Sequence, residues 1–263
     1  MIPGIYLSKL TETAIKAALH AGKEILDVYY HSDFDIEFKA DNSPLTIADK
    51  RAHEVIAEHL KTTNIPILSE EGESIDYAIR KTWKIFWLVD PLDGTKEFIR
   101  RNDEFTVNVA LVEENSPVAG VVFEPVTGNL FWGDSNGSFK VVYDFENDIF
   151  SNAVKLPVPA SRETFVIVGS RSHMNSETDI YIRSLETNGK PLDIRSKGSS
   201  LKICMVAEGE ADVYPRLAPT MEWDTAAGHA VVKFAGKNLY LFGTREPLTY
   251  NRENLVNPWF VVE

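Results

Sequence analysis

The stretch WLVDPLDGT at residues 87–95 constrains this chain more than any other. Residues 85–90 read as a buried apolar strand that delivers Asp90 at its end. Pro91 breaks the ladder, and Gly94 permits a tight backbone course. Thr95 then opens a short helix that runs through Arg100. Two carboxylates three residues apart at a strand exit, Asp90 and Asp93, can face one point. Backbone N–H groups at the start of the next helix can cradle an anion. Carboxylates hold Mg²⁺ and N–H groups hold phosphate, the combination that metal-assisted phosphoryl hydrolysis requires. A plainer reading stands beside it: Asp93 caps a helix and Asp90 merely ends a strand.

Three other segments place acids similarly. IPILSEEG at 65–72 is a second apolar strand ending in acid at Glu70 and Glu71. PLTIAD at 44–49 puts Asp49 in the first turn of a helix, and EWDTAAG at 222–228 puts Asp224 at the start of a late one. Any one of these could be a cap or a solvated charge. Acids at four element ends, each beside apolar sequence, favour a shared site.

Composition narrows the partners. Lys and Arg total 27 against 39 Asp and Glu, a formal charge of −12. Residues 1–131 carry 13 basic and 22 acidic residues, so −9 of that charge lies there and −3 in the remainder. Such an acid excess suits neither a nucleic-acid backbone nor anionic lipid. It permits an anionic small molecule, because bound metal ions reverse the local sign. Cys204 is the single cysteine, which excludes an intrachain disulfide and fits a reducing, cytoplasmic setting. The first residues lack a basic segment followed by an apolar one, so no signal peptide is expected. No apolar run approaches the roughly 18 residues of a membrane helix.

Hydrophobic periodicity predicts helices over 8–30 and 46–60, the second with Thr46 as N-cap. Short strands are expected over 34–39, 65–69, 85–90, 105–113, 118–124 and 129–133, with a hairpin turn at Asn136-Gly137. Residues 152–163, with two prolines and several polar breaks, form the candidate boundary between halves 1–151 and 152–263. Beyond it, strands over 165–168, 192–195 and 211–214 alternate with helices over 176–188, 200–208 and 225–234. The expected architecture is an α+β fold: two helices and a mostly antiparallel N-terminal sheet, followed by a smaller α/β half.

Familiar phosphate and hydrolase motifs are missing: no GxxxxGK[ST], no GxGxxG after a strand, no GxSxG. His53-Glu54 and His59 are spaced six apart on a helix, so the rings point about 120° apart and suit a solvated face, not a zinc pair. Asn136-Gly137-Ser138 fits a glycosylation sequon, but the turn reading is preferred. LDGT at 92–95 matches the tail of the DxDGT nucleophile motif, yet Pro91 stands where the nucleophile would be. A covalent aspartyl-phosphate route therefore fails, and direct attack by activated water remains.

DPLDGT after an apolar strand, with WDTAAG much later, resembles the lithium-sensitive, Mg²⁺-dependent inositol monophosphatase superfamily. The fuller strings DPLDGTKEFIRRNDEFTVNVALVE and GSSLKICMVAEGEADVYPRLAPTMEWDTAAGHAVV are most similar to its 3′(2′),5′-bisphosphate nucleotidase branch. The resemblance runs from DNSPLTIAD to the NPWF near the C-terminus. It implies the layered α-β-α-β-α sugar-phosphatase fold. It implies that Glu70, Asp90, the carbonyl of Leu92, Asp93 and Asp224 bind two or three Mg²⁺ ions. Asp49 and Thr95 match the pair that orients or deprotonates the attacking water. The turn Asp93, Gly94, Thr95, Lys96 matches the phosphate-binding segment, and Gly198 and Ser199 match a second loop lining the substrate, which Glu70 and Asp224 also face. Arg216 stands where inositol-specific relatives usually carry glutamate, a change that suits a second phosphate. Lys202 is a further cation near that loop, or else a solvated helix lysine. SRSH at 170–173 resembles a nucleoside-side loop, in which His173 would meet the base or lie idle on the surface.

The implied activity is removal of the 3′-phosphate from adenosine 3′,5′-bisphosphate, giving AMP and phosphate. The sulfated relative of that nucleotide is a second substrate, and the role is support of sulfate assimilation. Alternatives are an inositol monophosphatase, a fructose-1,6-bisphosphatase-like sugar phosphatase, or a non-catalytic protein that uses the metal site for binding. The chain is expected to be a monomer or homodimer. It is expected to be cytoplasmic, with peripheral association at the inner face of the plasma membrane as the family's other assignment. Glu222 receives no role, and Cys204 is expected to be buried packing.

Overall fold

The computed structural model describes residue 2 and residues 8–31, 36–38, 44–159, 161–169 and 175–263, with backbone alone for 36–38, 44 and 45. Among these the chain opens with α1 (Lys9–His31), a β1 (Ile36–Phe38) and β2 (Pro44–Thr46) pair, and α2 (Ile47–Lys61). β3 (Ile67–Ser69), α3 (Tyr77–Arg80), β4 (Ile85–Asp93) and α4 (Thr95–Ile99) follow. Next come β5 (Thr106–Glu113), β6 (Ser116–Glu124), β7 (Asn129–Asp134), β8 (Gly137–Asp144), β9 (Ile149–Phe150) and β10 (Val154–Leu156). The remainder alternates: β11 (Phe165–Gly169), α5 (Ser176–Ser184), β12 (Leu192–Ser196), α6 (Leu201–Glu208), β13 (Tyr214–Arg216), α7 (Glu222–Phe234), β14 (Leu239–Leu241) and β15 (Phe260–Val262).

The central sheet has the order β10-β8-β7-β6-β5-β4-β3, with β9 on β8. Every pair in it is antiparallel except β3 with β4. α1 and α2 cover one face and α7 the other, with α6 packed on α7. Beyond α6 lie β11, paired in parallel with β12, and the antiparallel set β13-β15-β14. α5 closes that side against β13. This is the expected five-layer order, held by three apolar cores, the second of which reaches through the α6/α7 layer to Val166 and Phe260. The first joins Ile15, Ala18, Ile25 and Ile56 to Trp87, Val107 and Phe123. The second joins Phe86, Leu88 and Val122 to Ile203, Ala227 and Val231. The third is a small cluster of Ile167, Ile182, Val213 and Val261.

Local chemistry explains the two elements that matter most for the site. α2 starts at a reciprocal capping box: the Thr46 side chain accepts from the Asp49 backbone, and Thr46 N donates to Asp49 Oδ2 at 2.7 Å, with Ala48 N also donating to Thr46 Oγ1 at 3.2 Å. The cap that stabilises the helix thus fixes an acid at its first turn. α7 lies unusually close to the sheet because β6 and β7 present glycines beneath it. A Cβ on Gly133 would fall 2.6 Å from Ala230 O, and one on Gly120 would fall 2.7 Å from Ala230 Cβ and overlap Ala227 O.

Several sequence expectations need correction. Pro91 does not end β4: the ladder is interrupted by a bulge between Asp90 and Asp93 and resumes with Asp93 opposite Thr106. The β7–β8 turn is Ser135-Asn136, since Asp134 pairs with Gly137. A strand, β10, lies within the proline-containing 152–163 segment, where none was expected. α5 stops at Ser184 and α7 begins at Glu222, three residues before the expected start. His53 and His59 do not share a merely solvated face. His53 Nδ1 is 2.9 Å from Ser69 Oγ, and His59 Nε2 is 2.8 Å from His20 Nδ1. Lys202 is buried, not solvated. Among the described residues no helix is long and apolar enough to cross a membrane.

Candidate active site

β3 and β4 run in parallel with Ser69 opposite Val89, so their C-terminal ends emerge side by side. That register brings Glu70 next to Asp90, and Glu70 N donates to Val89 O at 3.1 Å. The first turn of α7 supplies Asp224, whose Oδ2 accepts from Met221 N at 2.9 Å. Ligand-capable oxygens of Glu70, Asp90 and Asp224 all lie within 4.8 Å of one another. Burial holds the Asp90 carboxyl well above the ordinary carboxylate range, and the charges of Glu70, Asp93 and Asp224 push it further the same way. Burial and Asp93 do the same to Asp224. Three crowded carboxyl groups cannot all ionise alone; a divalent cation among them would allow it. The donors are all hard oxygens, so the cluster could hold a metal of the Mg²⁺ type.

Asp93 reaches the cluster through the β4 bulge. Its Oδ2 accepts from Ser200 Oγ at 2.8 Å and from Asn108 Nδ2 at 3.3 Å. Ser200 Oγ is also 2.7 Å from the Asp224 carbonyl and 2.9 Å from Asn108 Nδ2. Asn108 Oδ1 in turn accepts from Thr106 Oγ1 at 3.1 Å. Leu92 is buried in the core, with its carbonyl accepting from Thr95 Oγ1 at 3.3 Å and its N donating to Asp90 Oδ1 at 3.0 Å. Gly94 occupies the left-handed region at φ 97°, and a Cβ there would press on Glu104 O at 3.2 Å, so the turn needs glycine. Thr95 Oγ1 also lies 3.2 Å from Asp49 Oδ1. Asp49 is 1% exposed, and its other oxygen is held by Thr46 Oγ1 at 2.6 Å.

A cleft of about 280 Å³ opens beside the carboxylates, bounded by Asp93 and Asp224. Five basic side chains line it: Lys96, Arg100, Lys197, Lys202 and Arg216. Gly94, Gly198 and Ser199 line it too. Gly198 N is tied to Glu104 Oε2 at 2.9 Å, and Ser199 sits at φ 45°. Lys202 Nζ donates to the carbonyls of Ser199 at 2.5 Å and Lys197 at 3.2 Å, and burial lowers its pKa to about 8. Arg216 Nη2 donates to Pro219 O at 2.9 Å. Among the described residues, Ser199 Oγ and Arg216 Nε are buried without a hydrogen-bond partner, so a ligand in the cleft could satisfy them. Glu70 faces a neighbouring cavity of about 530 Å³ with Arg80 and Trp223.

The structure therefore brings Glu70, Asp90 and Asp224 into one cluster, adds Asp93 beside it, and joins Asp49 to Thr95. It gathers Lys96, Lys202 and Arg216 around one cleft. His173 and its loop lie outside the described residues. Sequence reasoning passed over Asn108, Ser200, Arg100 and Lys197. Ser200 stands within the GSSLK stretch, but its role depends on a partner 107 positions away. Glu222 acquires a structural place: fully buried, it accepts from Asn251 N at 2.7 Å and Arg252 N at 3.0 Å, pinning the C-terminal loop to α7.

This five-layer fold with an acidic cluster at a strand exit is a phosphatase architecture, and the chain belongs to the inositol monophosphatase family, whose sequence profile matches residues 6–258. The chain is similar to the 3′(2′),5′-bisphosphate nucleotidase CysQ of Escherichia coli K12, at 41% identity over 257 residues, covering 96% of this chain and 99% of that protein. It is similar to the CysQ of Haemophilus influenzae at 36% identity, covering 96% and 92%. Among solved structures, CysQ from Bacteroides thetaiotaomicron, a bacterial member of the family, superposes with a TM-score of 0.89 at 49% identity, covering 98% of each chain. An inositol monophosphatase of Thermotoga maritima shares the fold at 22% identity and a TM-score of 0.75, covering 97% and 92%.

Proposed function

We propose that this chain is a Mg²⁺-dependent 3′(2′),5′-bisphosphate nucleotidase that converts adenosine 3′,5′-bisphosphate to AMP and phosphate. The observation that carries the reading is the cleft with five basic residues beside the acidic cluster. A monophosphate presents its charge only at the carboxylate end, whereas a bisphosphate has a second dianion to place. Lys202 and Arg216 suit that group, because charge-assisted hydrogen bonds to phosphate are strong. The name and full-length similarity of the CysQ relatives support the same substrate.

Glu70, Asp90, Asp93, Asp224 and the Leu92 carbonyl would hold two or three Mg²⁺ ions. When bound, the metal supplies a Lewis acid that lowers the pKa of the attacking water and balances charge on the phosphoryl and leaving oxygens. The chain's own groups do the rest. Thr95 Oγ1 and Asp49 Oδ1, 3.2 Å apart, hold the nucleophilic water and receive its proton, with Asp49 as the base. The turn from Asp93 to Lys96 seats the 3′-phosphate. Ser199 Oγ and Arg216 Nε take up the hydrogen bonds they lack, on the part of the substrate that is not cleaved. Residues 1–151 contribute most of the acidic set, and residues 152–263 contribute Ser199, Lys202 and Arg216.

A panel of adenosine 3′,5′-bisphosphate, inositol 1-phosphate and fructose 1,6-bisphosphate, assayed for phosphate release with Mg²⁺ and with added Li⁺, tests the reading. Preference for the nucleotide and inhibition by Li⁺ are expected. Preference for inositol 1-phosphate would assign the chain to the other branch, and no release from any substrate would remove the catalytic reading altogether. Arg216→Glu should reduce hydrolysis of the bisphosphate more than that of inositol 1-phosphate; equal losses would show that Arg216 does not read the second phosphate.

A further inference from the structure

We infer that His20 and His59 form a second metal site on the outer helical layer, one that takes a borderline transition-metal ion such as Cu²⁺, Ni²⁺ or Zn²⁺. His20 is an exposed residue of α1 and His59 a partly exposed one in the last turn of α2. The two helices pack against each other, so neither ring depends on a mobile loop for its position. His20 Nδ1 and His59 Nε2 point at one another across 2.8 Å, with ring centroids 4.8 Å apart. In the apo pair one nitrogen donates its proton and the other accepts, so the acceptor lone pair already aims at the point between the rings. When the donor ring carries its single proton on its other nitrogen instead, both neutral imidazoles turn a lone pair toward that point. Zn–N bonds of about 2.0–2.1 Å at a tetrahedral angle place two nitrogens about 3.3 Å apart, so the rings need to part by only about 0.5 Å. Water would fill the remaining positions. Lys16, one turn before His20, is paired with Glu12 at 2.8 Å, which offsets its repulsion of an incoming cation.

This site differs in kind from the acidic cluster. Imidazole nitrogen suits Zn²⁺, Ni²⁺ and Cu²⁺, whereas an all-oxygen set suits Mg²⁺. It is also distant: His59 follows Asp49 by ten positions in α2, about 15 Å along the helix axis. The other described histidines are engaged differently. His53 meets Ser69, His229 is buried between Tyr250 and Asn238, and His31 faces Asp27 at 3.6 Å.

Electron paramagnetic resonance with one equivalent of Cu²⁺, added to protein saturated with Mg²⁺, reads the ligand atoms directly. The expected spectrum shows nitrogen superhyperfine splitting from two imidazoles. His59→Asn should reduce this to one nitrogen, and the His20→Asn/His59→Asn double variant should remove it and weaken Cu²⁺ binding at least tenfold. Asp93→Asn should leave the nitrogen pattern in place. Both histidines sit on helix surfaces, and unchanged thermal melting of the metal-free double variant would show that it folds. A nitrogen pattern that survives in the double variant, or a wild-type spectrum with oxygen ligands only, would overturn the assignment.

Discussion

Ser200 Oγ lies within hydrogen-bond reach of three groups: it accepts from Asn108 Nδ2, and its one proton is shared between Asp93 Oδ2 and the Asp224 carbonyl. It therefore ties the β4 bulge to the first turn of α7, and with them two of the proposed metal ligands. Ser200→Ala removes the tie without altering a ligand. Supporting groups of this kind typically matter about 10–100-fold for metal affinity or activity. The variant should need more Mg²⁺ for half-maximal phosphate release, and an unchanged Mg²⁺ titration would deny Ser200 this role. Lys202 makes a different prediction. Burial lowers its pKa to about 8, so the side chain is a cation at neutral pH and loses its proton as pH rises through that value. The KM for the bisphosphate should climb between about pH 7 and about pH 9, while Lys202→Arg, which stays charged, should flatten the rise. A wild-type KM that is level across this range would mean that the Lys202 charge does not bind substrate.

α7 illustrates how an element's packing and its chemistry share one constraint. Gly120 and Gly133 let the helix sit close to β6 and β7, and the same approach sets the position of Asp224. Gly120→Ala should overpack that contact, at a cost of about 1–3 kcal/mol. It should lower Tm by at least about 2 °C, and phosphate release should fall with it; a wild-type Tm would show that the helix can move away freely. The elements also show what could be read in advance. α2 was legible because Thr46 and Asp49 sit at capping spacing and the helix has an apolar period. β4 was legible as an apolar run, but its bulge was not: Pro91 signals a broken ladder, while the return at Asp93 depends on Thr106 across the strand. β10, β14 and β15 are only three residues each, too short to show a period, and they form because partners already exist. The acidic residues of the site lie beside motif-bearing strings and could be named. Arg100 and Lys197 lie 97 positions apart and become neighbours only around the folded cleft.

At the scale of the whole molecule, stability also depends on groups that do not line the cleft. His229 is buried, with Nδ1 at 3.0 Å from Tyr250 Oη and Nε2 at 2.7 Å from Asn238 Oδ1, and burial lowers its pKa to about 4. The unfolded chain binds this proton near pH 6.5 and the folded chain does not, so stability is lost as pH falls from about 6.5 toward 4. The contribution amounts to about 3 kcal/mol across that window. Denaturant melts from pH 7 down to about pH 4.5 should reveal it, and His229→Gln should show a shallower decline; an equal decline would place the acid sensitivity elsewhere. The position of Asp224 on α7 bears on how the molecule is made. The acidic cluster joins Glu70 to a residue 154 positions later, on a helix that is itself clamped to the middle of the sheet. During synthesis, a ribosome that has released only the first two hundred residues has made nearly all the acids of the site, yet it has not made a site that can close. A metal held by this cluster would therefore be captured late in the life of the nascent chain, and a truncated product lacking α7 would carry the sequence signature of a phosphatase without Asp224 to complete the cluster.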